Sequence, residues 1–123
     1  MLCRDCEQIQ RDTGLWYSAE YSTFSISDEV GKYQLTVAGY SGDAGDAMAA
    51  AEHPVYYANG RMFTTHDSDN DAYPGGNCAA DWNGGWWLGH CSTSHISKDN
   101  NGIWTAGTPV WDVQASRMLV KLN

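Results

Sequence analysis

Asn77-Cys78-Ala79-Ala80-Asp81-Trp82-Asn83-Gly84-Gly85-Trp86-Trp87-Leu88-Gly89-His90-Cys91 is the stretch on which the reading of this chain turns. Two cysteines with twelve residues between them bracket a Gly-Gly-Trp-Trp centre. Glycine lets backbone pack tightly beneath bulky indoles. Trp86 and Trp87 therefore read as core anchors. Trp82, between Asp81 and Asn83, has two readings: a buried strut, or the wall of a sugar or N-acetyl pocket, where a ring packs on apolar hydrogens or a methyl group.

Just upstream lies Asp67-Ser68-Asp69-Asn70-Asp71. Calcium takes six to eight oxygen ligands, some from carboxylates and some from backbone carbonyls in a tight loop. The alternating Asp residues resemble the opening of an EF-hand, but Ala72 stands at the sixth position and Cys78 at the twelfth, where that motif needs Gly and Glu. A different loop site remains, with two Asp side chains and carbonyls from Tyr73-Pro74-Gly75-Gly76. The bland alternative is a solvated acidic loop. From His66 to Asn101 regular periodicity vanishes, and a stretch of that length needs staples because it buries little apolar surface. A disulfide and a bound ion are the natural ones.

The cysteines are Cys3, Cys6, Cys78 and Cys91. An even count fits disulfides, with three pairings open and Cys78–Cys91 favoured. Only one pair is closely spaced, unlike a structural zinc site. No strand precedes the C-x-x-C, unlike a redox motif. The 123 residues suit one domain, with Gly, Trp and Tyr pointing to loops packed around aromatic anchors. A formal charge of −8 argues against nucleic acid. No apolar run approaches the roughly 20 residues that span a bilayer, and Met1 to Ile9 lacks the apolar core of a secretory signal. The histidines (His53, His66, His90, His95) are not at metalloprotease spacing, and no nucleophile elbow or phosphate loop is present. No catalytic residue is assigned.

Along the chain, residues 1–14 read as a polar lead. Trp16–Ile26 alternates in part and Tyr33–Val37 cleanly, and both read as strands. Asp28–Lys32 reads as a turn, and Gly39–Asp46 as a Gly/Asp-rich turn region. Asp46 is placed to cap a short helix through Met48 and Ala51. Asn59-Gly60 suggests a hairpin joining Tyr56-Tyr57 to Met62-Phe63-Thr64-Thr65. Ser116–Leu122 returns to a strand pattern.

Several of these segments together resemble the fibrinogen C-terminal domain family, which includes ficolins, tachylectins, angiopoietins and the fibrinogen chains. They are Tyr33–Val37 with Gly39–Met48, Phe63–Asp71, Asn77–Ala79 running on to Gly85-Trp86-Trp87 and Cys91, and more weakly Asn101–Trp104 and Ser116–Met118. The resemblance covers about residues 16–123. It implies an α+β fold in truncated form: an antiparallel sheet with short helices and a long, loop-rich C-terminal region stapled by a disulfide and calcium. Residues 1–15 would be a remnant of the family domain's N-terminal segment, and 16–123 its C-terminal part. Calcium would sit on Asp69 and Asp71 with carbonyls of Tyr73 and Gly75, or Gly76 if the extra residue before Cys78 shifts the register. The disulfide maps to Cys78–Cys91. The ligand pocket lies beside it, often with a cis peptide after the second cysteine; Trp82, Ser92 and Asn100 are its candidate residues here.

The chain departs from the family pattern in three ways. Ser92 replaces a frequent His. His95-Ile96-Ser97-Lys98 replaces Asn-Leu-Asn-Gly, with most of the following loop missing before Asn100. Arg4–Ile9 resembles the family's opening segment but jumps straight to Trp16, so the N-terminal subdomain and much of the central sheet are absent between them. Cys6 then loses its usual partner and is expected to be free or joined to another chain. The implied function is a secreted, calcium-dependent, lectin-like module for acetylated glycans in innate defence. The alternatives are a protein–protein module, or a truncated form of little activity whose exposed strand edges favour oligomers.

Overall fold

The computed structural model describes residues 5–49, 54–98, 102–105 and 111–121. Its first element is a strand, β1 (Asp5–Arg11), where the sequence suggested only a polar lead. Gln8-Ile9-Gln10 alternates polar and apolar residues, and the structure uses that alternation: Ile9 and Glu7 are buried, while Gln8 and Gln10 lie on the opposite side. The chain reverses through a tight turn in which the Arg11 amide donates to the Leu15 carbonyl at 3.0 Å. It returns as β2 (Trp16–Ile26), with the bounds expected from its pattern. Cys6 is disulfide-bonded, so it is not free.

β3 (Leu35–Gly42) pairs antiparallel with β2, from Ile26↔Leu35 to Ala19↔Gly42. It runs further than the expected strand, into the region read as a turn. Gly42 makes that extension feasible. Its φ is +124°, and a Cβ there would collide with the Ser18 carbonyl. That carbonyl instead accepts from the amides of Asp43 and Ala44 at 3.0 and 2.9 Å.

The last two strands of this sheet are β6 (Gly102–Trp104) and β7 (Trp111–Val120). The strand order is β3-β2-β1-β7-β6, antiparallel throughout. β1 is thus central, paired with β2 on one side and β7 on the other. The short N-terminal strand closes the gap that the expected loss of central strands would have left. A second, two-stranded sheet pairs β4 (Phe63–Thr64) with β5 (Trp86–Trp87). Phe63 and Thr64 therefore pair downstream, not with Tyr56-Tyr57. The expected hairpin does not form; Pro54–Tyr56 is instead a 3-10 turn.

Helix is scarce among the described residues. α1 is the single turn Cys78–Asp81. Asp46 does accept a hydrogen bond from the Ala49 amide at 3.0 Å, but residues 47–49 form turns, and Ala51 lies outside the described residues. The core joins both sheets: Ile9, Tyr21, Leu35, Val37, Met48, Trp86, Leu88 and Trp104 are at most 4% exposed. Burying a side chain of the size of Leu is worth about 1.5–3 kcal/mol. Trp104 fits because its indole N–H reaches the carbonyls of Ala44 and Gly45 at 3.2 and 3.0 Å. The structured end of the large sheet thereby holds the turn after β3.

Candidate functional site

The acidic run forms a tightly bonded loop between β4 and α1. Asn70 is its internal strut: its side-chain amide donates to the Phe63 carbonyl at 2.9 Å, and its backbone amide donates to Thr64 Oγ1 at 3.0 Å. Thr65 Oγ1 donates to Asp67 Oδ1 at 2.7 Å, and this bond holds the exposed Asp67 carboxyl below its usual range.

Asp69 and Asp71 come together. Asp69 Oδ1 accepts from the Asp71 amide at 3.2 Å. Asp71 Oδ1 accepts from the Tyr73 amide at 2.9 Å, and Oδ2 from the Cys78 amide at 2.8 Å. Desolvation, helped by the neighbouring Asp69, raises the Asp71 carboxyl above its usual range, against the lowering effect of the two amides. The Asp69 carboxyl is thus near enough to raise that of Asp71, and among the described residues no Lys or Arg pairs with either. The donor set is all oxygen, which is the chemistry of a hard cation. No third acid, His or Cys joins the pair among the described residues. A calcium ion here would complete its shell from carbonyls and water. The Tyr73 carbonyl lies in that turn and also accepts the Gly76 amide at 3.3 Å. Gly75 has φ +75° with open space at its Cβ position.

Asp71 also couples this loop to the disulfide. Its acceptor role on Cys78 anchors the first residue of α1. The Cys78–Cys91 bond is present, with Cα atoms 5.6 Å apart. The Ala72 amide donates to the Gly89 carbonyl at 3.0 Å, and the Tyr73 ring packs on His90 at 4.4 Å. Sequence reasoning passed over Asn77, which bridges the same two parts. Its side-chain oxygen caps α1 by accepting from Ala79 and Ala80 at 2.9 and 3.1 Å, and its side-chain amide donates to the Thr65 carbonyl at 3.1 Å. The Asn-x-x-x start of a short helix was the signal that could have found it. The cis peptide is His90–Cys91, one bond earlier than the resemblance implied.

The expected pocket residues are placed differently from one another. Trp82 is half-buried, stacked on His95 with centroids 5.7 Å apart, and Lys98 Nζ lies 5.8 Å from its ring. Ser92 is buried. Its hydroxyl accepts from the Ser94 amide at 3.0 Å and meets Ser94 Oγ, which in turn accepts from the Trp86 indole at 3.1 Å. Asn100 lies outside the described residues. His95 Nε2 bonds the Gly84 carbonyl at 2.8 Å, and burial pushes its imidazole down to about 4, with Lys98 acting the same way. A groove of about 410 Å³ near these groups is lined by Thr65, His66, Asp67, Ala79, Asn83, Gly84 and Gly85. It lies between the acidic loop and α1, adjoining Trp82 through Asn83.

A small β-protein whose acidic loop is tied directly to a disulfide loop belongs to a recognisable class. Residues 5–112 match the family model for the C-terminal globular domain of fibrinogen beta and gamma chains. The chain belongs to that fibrinogen C-terminal domain family. It is 38% identical to bovine (Bos taurus) fibroleukin over 84 residues, covering 68% of this chain and 19% of that protein. It is 36% identical to the chicken (Gallus gallus) fibrinogen beta chain over 107 residues, 78% of this chain and 22% of that one. It therefore spans about a fifth of the length of these relatives. Among solved structures, the fibrinogen-like globe domain of human ANGPTL2 superposes with a TM-score of 0.77 at 27% identity, over 93% of this chain and 55% of that one. Lamprey fibrin D-dimer, solved with the peptide Gly-His-Arg-Pro-amide, superposes with a TM-score of 0.78 at 23% identity, over 93% and 43%. That second likeness speaks to the fold alone. Among the described residues no helix is long and apolar enough to cross a membrane.

Proposed function

We propose that this chain is a secreted, non-enzymatic recognition module whose ligand site is ordered by calcium, and that its ligands are acetylated glycans met in innate defence. The observation that carries the reading is the double role of Asp71. The same carboxylate that would share a cation with Asp69 holds the amide of Cys78 at 2.8 Å. Cation binding would stiffen the acidic loop and, through Cys78, the disulfide loop beside the groove. The ordering free energy is then supplied before the ligand arrives, which favours affinity. Trp82 does not line the groove itself but adjoins it through Asn83. Thr65, His66, Asp67 and Asn83 supply polar partners for ring hydroxyls and an acetamide. The test is binding to a panel of immobilised N-acetyl sugars with calcium and with chelator. Binding that chelator abolishes and calcium restores supports the reading; binding indifferent to chelator sinks the calcium mechanism.

A second reading, a protein-binding module, is favoured by a specific observation. Ser92 is turned inward and bonded, and the Trp82 ring is engaged by His95 and Lys98, so two expected sugar-pocket groups are committed within the fold. Free N-acetylglucosamine separates the two. It displaces a ligand held by an acetyl pocket and leaves a protein ligand in place.

A further inference from the structure

The outer face of the large sheet carries a groove far in sequence from the acidic loop. It measures about 180 Å³ and is lined in part by Gln8, Trp16, Ser18, Asp43 and Arg117. The register builds it. Gln8 lies opposite Arg117 on β7 and opposite Ser18 on β2, so the three form one row across three strands. With strands about 4.8 Å apart, Arg117 and Ser18 are about 10 Å apart along that row. Trp16, two pairs further along and so on the same face, is 45% exposed.

The groove holds two charges in place. The Arg117 guanidinium lies 5.0 Å from the Trp16 ring centroid. A guanidinium resting on an indole keeps its planar N–H fork free for a bidentate carboxylate. Among the described residues Arg117 forms no ion pair. Asp43 Oδ1 accepts from the Ser18 amide at 2.8 Å, and the Asp43 amide donates back to the Ser18 carbonyl at 3.0 Å. That reciprocal bonding fixes the carboxylate against the sheet. Gln8 and Ser18 line the same groove, with an amide and a hydroxyl able to donate and accept. The groove therefore offers an anion-binding fork resting on an aromatic wall, neutral amide and hydroxyl groups, and a fixed acceptor.

We propose that this face binds a carboxylate-bearing saccharide, a uronate, as a second and calcium-independent site. The ligand carboxylate meets the Arg117 fork. Ring hydroxyls donate to Asp43 and exchange hydrogen bonds with Gln8 and Ser18. Apolar C–H groups of the ring rest against the exposed part of Trp16. This site goes beyond the reading given above, and its test has a different readout.

Sodium glucuronate is titrated into the chain labelled with nitrogen-15, with glucose as the neutral control and chelator present throughout. The expected result is saturable shifts at Gln8, Ser18, the Trp16 indole and the Arg117 side chain, with glucose at least tenfold weaker. Arg117→Lys keeps the charge and loses the planar fork; it should weaken glucuronate tenfold or more. Gln8→Ala, on the solvent side of β1, should weaken glucuronate and glucose alike. Equal affinity for glucose and glucuronate, an unchanged Arg117→Lys, or shifts scattered over the surface would overturn the proposal. Because calcium is absent, failure here says nothing against N-acetyl sugar binding beside the disulfide.

Discussion

Asp71 and Asp69 sit two residues apart, yet their bonding differs, and that difference makes a test. Asp71 accepts two backbone amides, from Tyr73 and Cys78. Asp69 accepts one, from Asp71. Hydrogen bonds to a charged group are worth about 1.5–3 kcal/mol each when protected from solvent. Asp71→Ala should therefore cost about 1–3 kcal/mol without any metal, the low end reflecting a loop partly open to water. Asp69→Ala should change metal-free stability by no more than about 0.5 kcal/mol, because it also removes a like charge from Asp71. Under the calcium reading, both variants lose the calcium-induced rise in melting temperature. Urea unfolding with and without calcium separates the two costs. His95 offers a pH test at the same scale. Its imidazole falls from an ordinary value near 6.5 to about 4, through burial first and Lys98 second, with only the Gly84 carbonyl opposing. The folded state thus keeps it neutral while the unfolded chain takes up a proton. Its contribution is intact above about pH 6.5 and is lost progressively as pH falls to about 4, by up to about 3 kcal/mol. Unfolding midpoints at pH 7, 5.5 and 4.5 should fall more steeply for the native chain than for His95→Phe. Parallel slopes would reject this account.

At the scale of elements, the pattern of β2 was legible because its aromatic and polar residues partly alternate along the segment. β1 was not, although Gln8-Ile9-Gln10 alternates. Its buried side includes Glu7, a residue type rarely found inside, and polarity outweighed period. β4 and β5 have two residues each, too short to display any period; only the chain reversal set by Asn70 and Asn77 brings them together. The acidic loop and the disulfide were readable because oxygen donors and cysteines announce their chemistry locally. The burial of Ser92 was not readable, since it depends on Trp86 and Ser94 folding back onto it. The central place of β1 has a consequence. Ile9 is fully buried and opposes Tyr17 on β2 and Ser116 on β7. Ile9→Ala should cost about 2–5 kcal/mol, the range for deleting a buried aliphatic group. Backbone amides of β1, flanked on both sides, should be among the slowest to exchange with solvent, and those of the short β6 among the faster. Fast exchange throughout β1 would mean that the sheet is not continuous in solution.

At the scale of the molecule, and among the described residues, a five-stranded and a two-stranded sheet with one α-helical turn must hold a long stretch of loop from residue 65 to residue 98 in place. A 123-residue chain buries only about two thirds of the surface its unfolded form exposes. The loop-rich half therefore depends on the Cys78–Cys91 bond and, under the calcium reading, on a cation held by Asp69 and Asp71; the two should then act together because Cys78 is bonded to both Cys91 and Asp71. Closing a loop of about 15 residues removes about 3 kcal/mol of unfolded-state entropy in the chain-entropy account. Calcium at a hundred times its dissociation constant adds about 2.7 kcal/mol, provided only the folded state binds it. If the two staples were independent, calcium would stabilise the reduced chain as much as the oxidised one. If Cys78 must be held by Cys91 to present its amide to Asp71, reduction should weaken calcium affinity as well as stability. The expected outcome of calorimetry is a calcium-dependent rise in melting temperature for the oxidised chain, and a rise less than half as large after selective reduction or in Cys78→Ala/Cys91→Ala. Equal rises would show that the acidic loop folds around its ion without the disulfide, and would break the link by which calcium is proposed to order the ligand groove.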